Sequence, residues 1–263
     1  MRPVALITGA SAGIGVELAR EFARHGHEVV LVARRKERLR ALADEIAATG
    51  APQPLVIAAD LTQPGAVAQI AKALAAAGAE PQYIVNNAGF GLVGRADNRD
   101  LGEQLAMIDL NIRALTELSL RFADSLARHR GGLLNVGSMA GFLPGPGMAV
   151  YYATKAYVVS LSEALHAELA PRGIRVTVLC PGPVPTEFAA RAGVKEAMAP
   201  ALLTQSAERV AHEGYSGLMA GRRVVVPGLV NKLLITLLRF VPHGLLLALV
   251  GARQSRRSDA QGS

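Results

Sequence analysis

At 263 residues, 51% of them apolar, the chain can bury one large core and fits a single α/β domain. Its one cysteine, Cys180, excludes an intrachain disulfide, and no group of His and Cys has metal-ligand spacing. The net charge of +7 is uneven: from Gly221 onward seven Arg and Lys stand against one acid, so six of the seven charges lie there and the body is near neutral.

The first apolar run, near 3–8, predicts a short strand that enters Gly9-Ala10-Ser11-Ala12-Gly13-Ile14-Gly15 directly. A helical pattern over 13–25 follows, with Leu18, Phe22 and Ala23 on one side. A glycine turn between a strand and a helix lets a backbone approach a phosphate, and the helix start offers it free N–H groups. No signal-peptide pattern is expected, because the leading apolar stretch is brief and ends at the turn.

Further strands are predicted near 28–33, 54–59, 82–86, 132–137, 174–180 and 223–226. Helices are predicted over 36–49, 64–78, 101–130, 150–170 and 206–220. This alternation gives a doubly wound, Rossmann-like parallel sheet of about seven strands with helices on both faces. Ligands of such sheets bind beyond the carboxyl ends of the strands. There the sequence places Gly9, Arg34, Asp60 with Leu61, Asn86 with Asn87, Ala88 and Gly89, Ser138, and Pro181. Asp60 is equally suited to cap a helix starting near Pro64.

Asn111 falls inside the long 101–130 helix, although asparagine is a poor helix former. Tyr151 and Lys155 stand four apart in Tyr-Tyr-Ala-Thr-Lys and share one helix face, where an ammonium can hold down a phenol's pKa. Tyr152, three residues before Lys155, reaches the same face, and helical geometry does not separate the two tyrosines. Cys180 closes an apolar run and reads as a buried structural thiol.

TGASAGIG at 8–15, NNAG at 86–89, Asn111, Ser138, YYATK at 151–155 and PGPVPTEF at 181–188 together resemble the short-chain dehydrogenase/reductase family over about residues 3–227. The glycine spacing is G-x-x-x-G-x-G. The resemblance implies a nicotinamide-dependent oxidoreductase, with Tyr151 as acid/base, Ser138 orienting the substrate oxygen, and Lys155 binding the nicotinamide ribose. It implies that Asn111 holds a water in a relay to the lysine. Cofactor contacts then fall to Gly9, Ser11, Gly13, Ile14, Gly15, Asp60, Leu61, Asn87, Ala88, Gly89, Tyr151, Lys155, Pro181, Gly182, Val184 and Thr186. Of the two tyrosines, the family's Y-x-x-x-K pattern selects Tyr151. Arg34, with no acid at the tip of the second strand, suits the 2′-phosphate of NADP(H). The candidate substrate lining, Met139, Ala140, Phe142, Leu143, Met148 and the Phe188 region, is apolar. It points to a lipophilic ketone, aldehyde or alcohol. A homodimer or homotetramer in the cytoplasm is expected. The alternative is a catalytically weak cofactor-binding or membrane-associated interaction protein on the same fold.

The sequence divides at 227/228 into a catalytic domain and a basic, apolar extension, 228–263, whose last ten or so residues are expected to be flexible. Over 229–250 a stripe of Leu233, Leu234, Leu237, Leu238 and Val241 lies opposite Lys232, Thr236 and Arg239. Two charges and Pro242 argue against a membrane span. Two readings stand: an amphipathic helix in peripheral contact with a membrane, or a cover packed over the cleft or an interface. Basic residues interleaved with leucines do not suit nucleic acid.

Overall fold

A computed structural model describes residues 1–192, 200–238, 240–242, 244, 246 and 247. Seven parallel strands form one sheet in the order β3-β2-β1-β4-β5-β6-β7. They are β1 (Arg2–Thr8), β2 (Val29–Ala33), β3 (Leu55–Ala58), β4 (Ala79–Asn86), β5 (Gly132–Val136), β6 (Arg175–Leu179) and β7 (Val224–Val225). β1 and β4 lie side by side although 70 residues separate them, which puts the reversal of strand order between them. That reversal opens the crevice in which a doubly wound sheet binds its ligands.

Central strands such as β5 are buried along their whole length, which is why they read as continuous apolar runs. One face packs on α1 (Ile14–Arg24), α2 (Lys36–Ala48) and α9 (Ala207–Met219) through Leu18, Phe22, Leu39, Val210 and Leu218. The other packs on α3 (Ala66–Ala76), α5 (Leu115–Arg121), α6 (Ala123–Arg128) and α7 (Ala149–Leu169) through Ile70, Leu118, Leu126 and Leu165. The strands and the other helices agree with the sequence reading, but the long 101–130 element does not. It is α4 (Leu101–Ile108), a π-helical turn over Asp109–Ala114, then α5 and α6, broken at Phe122.

Inside the second layer a polar ladder crosses the sheet. Asn86 Nδ2 donates to Asn135 Oδ1 at 2.8 Å and to Ser119 Oγ at 3.0 Å, and Asn135 Nδ2 donates to Ser162 Oγ at 3.0 Å. The two serines donate in turn to the carbonyls of Leu115 and Val158 in their own helices. A buried donor left unpaired costs about 1–3 kcal/mol, so the ladder fixes β4, β5, α5 and α7 relative to one another.

After β7 the chain enters α10 (Leu229–Leu238), which packs on the turns at Met139–Phe142 and Ala201–Leu203. Its inward face differs from the predicted stripe. Asn231 and Ile235 are buried, Leu234, Leu238 and Val241 are half-buried, and Leu233 and Leu237 are exposed. The cause is Asn231, whose Nδ2 donates to Leu203 O at 3.1 Å and Pro227 O at 3.0 Å and so sets the helix's rotation. Arg239, most of 243–250 and the predicted flexible end lie outside the described residues.

Candidate active site

The glycine turn sits where β1 meets α1. Gly9 and Gly13 hold left-handed φ angles of 68° and 55°, a region that favours glycine. A Cβ on Gly15 would stand 2.3 Å from Gly9 O, so the turn closes this tightly only without a side chain. α1 starts at Ile14 with no side-chain cap, and its first N–H groups face the turn. Asn87 ties the turn to β4: its Nδ2 donates to Thr8 O at 2.9 Å, while Thr8 Oγ1 accepts from Asn87 N and Ala88 N. This uncapped helix start behind a side-chain-free turn fits a pyrophosphate.

Ser138 follows β5 in an extended conformation, and Met139 N donates to Pro181 O at 3.0 Å, which joins the two strand ends. Ser138 Oγ accepts from Ala140 N at 3.1 Å and stands near enough to the Tyr151 phenol to hold its pKa down. Tyr152 turns the other way, its ring lying where a Cβ on Gly145 would stand 2.1 Å from Cγ. Tyr151 is therefore the tyrosine that meets Ser138. Lys155 is buried, donates from Nζ to Val136 O at 2.8 Å, and lies 5.9 Å from the Tyr151 ring centre.

Charge behaves differently here from the expectation of a phenol held down by an ammonium. Burial pushes Tyr151 up to about 12, with Ser138 opposing it. Burial likewise pushes Lys155 down to about 8. Desolvation disfavours the charged form of each and outweighs their mutual attraction across this distance. Cys180 is fully buried beside them, and burial pushes its thiol up to about 12, which leaves it an inert packing group.

Asn111 lies inside the π-helical turn and is 1% exposed, so it is no surface residue. Its Oδ1 accepts from Phe90 N at 3.2 Å, and its Nδ2 donates to Phe90 O and Thr154 Oγ1, both at 3.0 Å. It thus clamps the segment after Gly89 to α7 one residue from Lys155. A Cβ on Gly89 would stand 3.0 Å from Asn111 Oδ1 and 3.6 Å from Lys155 Nζ, so these groups surround that backbone.

Asp60 does not cap a helix. Its Oδ1 accepts from Thr62 N and Thr62 Oγ1, and α3 begins only at Ala66, with Gly65 before it. Leu61 is buried beneath it. Asn86 points into the polar ladder, leaving Asn87, Ala88 and Gly89 at the crevice. Thr186 packs on Gly13 and its Oγ1 accepts from Phe188 N, while Val184 packs against the core beside α1. Gly182 lies against Asn231 and Met139, with Pro181 buried before it.

Arg34 is exposed at the end of β2 and makes no hydrogen bond or ion pair among the described residues. Its neighbour Arg35, not singled out by the sequence, lies over the glycine turn. Its guanidinium donates to Ser11 Oγ at 3.1 and 3.2 Å and to Ser11 O at 3.1 Å. The signal was only its place in a basic run, where strand geometry does not say which arginine turns inward. The apolar lining also divides. Met148, Ala140 and Phe188 cluster around Tyr151, with the Phe188 ring centre at 5.5 Å. Phe142 and Leu143 instead line a separate groove of about 570 Å³ with Pro144, Tyr152 and Leu247.

A nucleotide-binding turn, a buried tyrosine and lysine with a half-buried serine beside them, and a parallel sheet define a nicotinamide-dependent oxidoreductase. Residues 3–197 match the family model of short chain dehydrogenase. The chain is 36% identical over 206 residues to sulfoacetaldehyde reductase 2 of Chromohalobacter salexigens, covering 77% of this chain and 81% of that one. The solved short-chain dehydrogenase from Sphingobium yanoikuyae in complex with NADPH shares 35% identity at a TM-score of 0.79, over 98% of this chain and 96% of that one. The bulky-bulky ketone specific alcohol dehydrogenase from Comamonas testosteroni shares 31% identity at 0.75, over 92% and 95%. The chain belongs to the short-chain dehydrogenase/reductase family and is an oxidoreductase of CH–OH groups.

Proposed function

We propose that this protein is an NADP(H)-dependent oxidoreductase that interconverts a lipophilic ketone or aldehyde and its alcohol. The observation that carries the reading is the contact of Ser138 with buried Tyr151, which lies inside an apolar cluster of Phe90, Met107, Met148 and Phe188. The similar Sphingobium and Comamonas proteins, one holding NADPH and one specific for bulky ketones, support it. NADP(H) is held by Gly9, Ser11, Gly13, Ile14 and Gly15 at the pyrophosphate and by Asp60, Leu61, Asn87, Ala88 and Gly89 along the adenosine. Pro181, Gly182, Val184 and Thr186 serve the nicotinamide side, and Arg34 serves the 2′-phosphate.

When bound, the cofactor supplies or accepts the hydride at the substrate carbon. Tyr151 gives a proton to the substrate oxygen on reduction and takes it back on oxidation. Ser138 holds that oxygen by a hydrogen bond and fixes the phenol beside it. Lys155, pushed down only to about 8, still carries its charge in most molecules at pH 7. It binds the ribose hydroxyls and favours the phenolate as it forms. Asn111, bonded to both backbone groups of Phe90, keeps the π-turn open beside Lys155 for the water relay.

One observation favours a second substrate class. Arg99 lines the small pocket beside Tyr151 with Met107 and Met148, where a short anionic aldehyde could be met by a guanidinium. That guanidinium is already committed to Val93 O, so the lipophilic reading stands ahead of it.

Apolar side chains also stay exposed outside the cleft. Leu105, Ile108, Leu120 and Tyr157 on α4, α5 and α7 form a face suited to a second copy in a homodimer or homotetramer. On α10, Leu229, Leu233 and Leu237 are exposed beside Lys232, and Phe240 just after the helix is exposed too. Here both readings of the extension combine: Asn231 and Ile235 pack on the domain, and the outer face meets an anionic membrane surface. Among the described residues no helix is long and apolar enough to cross a membrane.

Four outcomes are expected. With NADPH and a panel of hydrophobic ketones and short anionic aldehydes, the ketones should turn over faster. Tyr151→Phe should abolish turnover with NADPH affinity nearly unchanged, while Tyr152→Phe keeps most activity; the reverse pattern sinks the assignment. Arg34→Asp should cost about tenfold in NADPH affinity and little in NADH affinity, as measured by cofactor fluorescence. The intact protein should float with anionic vesicles at low salt, and Lys232→Glu should reduce flotation without slowing a small soluble substrate. No flotation at low salt would leave α10 a packing element alone.

A further inference from the structure

Arg35 and Arg38, at the start of α2, share one anion. Arg35 Nη1 donates to Glu187 Oε2 at 2.7 Å, and Arg38 Nη1 donates to Glu187 Oε1. Glu187 is the first residue of α8 (Glu187–Ala192), and Thr186 before it packs on Gly13 of the glycine turn. Arg35 also holds Ser11 through both Oγ and O, so the clasp spans the glycine turn, the tip of β2 and the segment that follows Pro181-Gly182. All three charged side chains are about half exposed, at 43%, 52% and 52%. Ion pairs of this kind are weak and readily exchanged.

The site these arginines form is larger than one carboxylate needs. Two guanidinium groups converge with the Ser11 hydroxyl next to the unpaired Arg34, at the strand tip where the sheet's topology puts the adenosine ribose. A phosphomonoester brings nearly two charges and three acceptor oxygens to such a place, against one charge and two oxygens for a carboxylate. The same guanidinium groups cannot donate those N–H bonds to both anions at once.

Resting on the NADP(H) reading above, we infer that Glu187 is an internal competitor for the 2′-phosphate: its carboxylate occupies Arg35 and Arg38 and is displaced when NADP(H) binds. Glu187 thereby tempers the preference for NADP(H) over NAD(H), and cofactor binding releases the start of α8 from its tie to α2. The depressed pKa of Glu187, caused first by Arg38 and then by Arg35, means that this competitor is charged throughout the neutral range.

The test uses two fragments, 2′,5′-ADP and 5′-AMP, which differ by the 2′-phosphate, titrated into the full chain by calorimetry at low salt. Glu187→Gln should tighten 2′,5′-ADP about two- to tenfold, the scale of exposed ion pairs, and leave 5′-AMP unchanged. The gain should shrink in high salt. Glu187→Asp, which keeps the charge on a shorter stem, should fall between the two. If the wild type favours 2′,5′-ADP and Glu187→Gln leaves that ratio unchanged, the inference is overturned and the NADP(H) reading survives. An equal change with both fragments also overturns it, because that would report packing of α8 and not competition for the anion. If neither protein distinguishes the fragments, the NADP(H) reading itself fails.

Discussion

The site depends on a constraint that lies beneath it: buried amides and hydroxyls inside a parallel sheet must be paired. The Nδ2 groups of Asn86 and Asn135 meet this by donating across the adjacent strands to Asn135 and to Ser119 and Ser162 on the helices above, while Asn86 Oδ1 has no partner among the described residues. Ser138 stands three residues beyond Asn135, and Tyr151 and Lys155 stand about three and two turns before Ser162 on α7. The ladder therefore sets the distance between the strand end carrying the serine and the helix face carrying the tyrosine and lysine. Lys155 extends the link directly, since its ammonium donates to the last carbonyl of β5 at 2.8 Å. A slip of one residue in β5 would break these bonds and send Ser138 to the other side of the sheet.

Around this frame the protein places charge in two regimes. At the Ser–Tyr–Lys group, burial dominates, keeping the phenol protonated and weakening the ammonium's hold on its proton. The lysine is thus brought near the point of releasing its proton, while the phenol holds its proton until a further positive charge arrives. At the tip of β2 the side chains are half exposed, attraction is screened, and Arg35, Arg38 and Glu187 form a clasp that can exchange partners. Proton transfer requires the first environment and cofactor selection requires the second. The doubly wound sheet supplies both, with Tyr151 and Lys155 buried and the charged side chains beyond β2 half exposed.

Much of this was legible in the sequence. Apolar runs and alternation gave all seven strands, since fully buried strands leave no room for polar residues. Tyr151, Lys155, Ser138 and the glycine turn were visible because their spacing is local or falls at strand ends. What the sequence left open depends on how particular side chains turn in the folded chain. Asn86 sits beside Asn87 but turns the opposite way, into a ladder whose partners are 33 and 49 residues away. The cap that Asp60 could have made near Pro64 does not form, because α3 begins at Ala66 and the Asp60 carboxylate accepts from Thr62 instead. The π-turn at Asp109–Ala114 holds Asn111, whose side chain bonds Phe90, and no periodicity encodes it. Arg35 and Arg34 are indistinguishable in the sequence, and only the bonds to Ser11 and to Glu187, 152 residues on, show where Arg35 turns. The face of α10 was set by Asn231, a polar residue that the apolar stripe had ranked outside.

The central claim is that this crevice passes a hydride between NADP(H) and a carbonyl carbon beside Tyr151. Its most direct test is turnover of a hydrophobic ketone with NADPH carrying deuterium on the transferred face of nicotinamide C4. The account predicts an alcohol with one deuterium at the carbinol carbon and a slower rate with the labelled cofactor at limiting ketone. An alcohol free of deuterium, or cofactor oxidation without any alcohol formed, would contradict it.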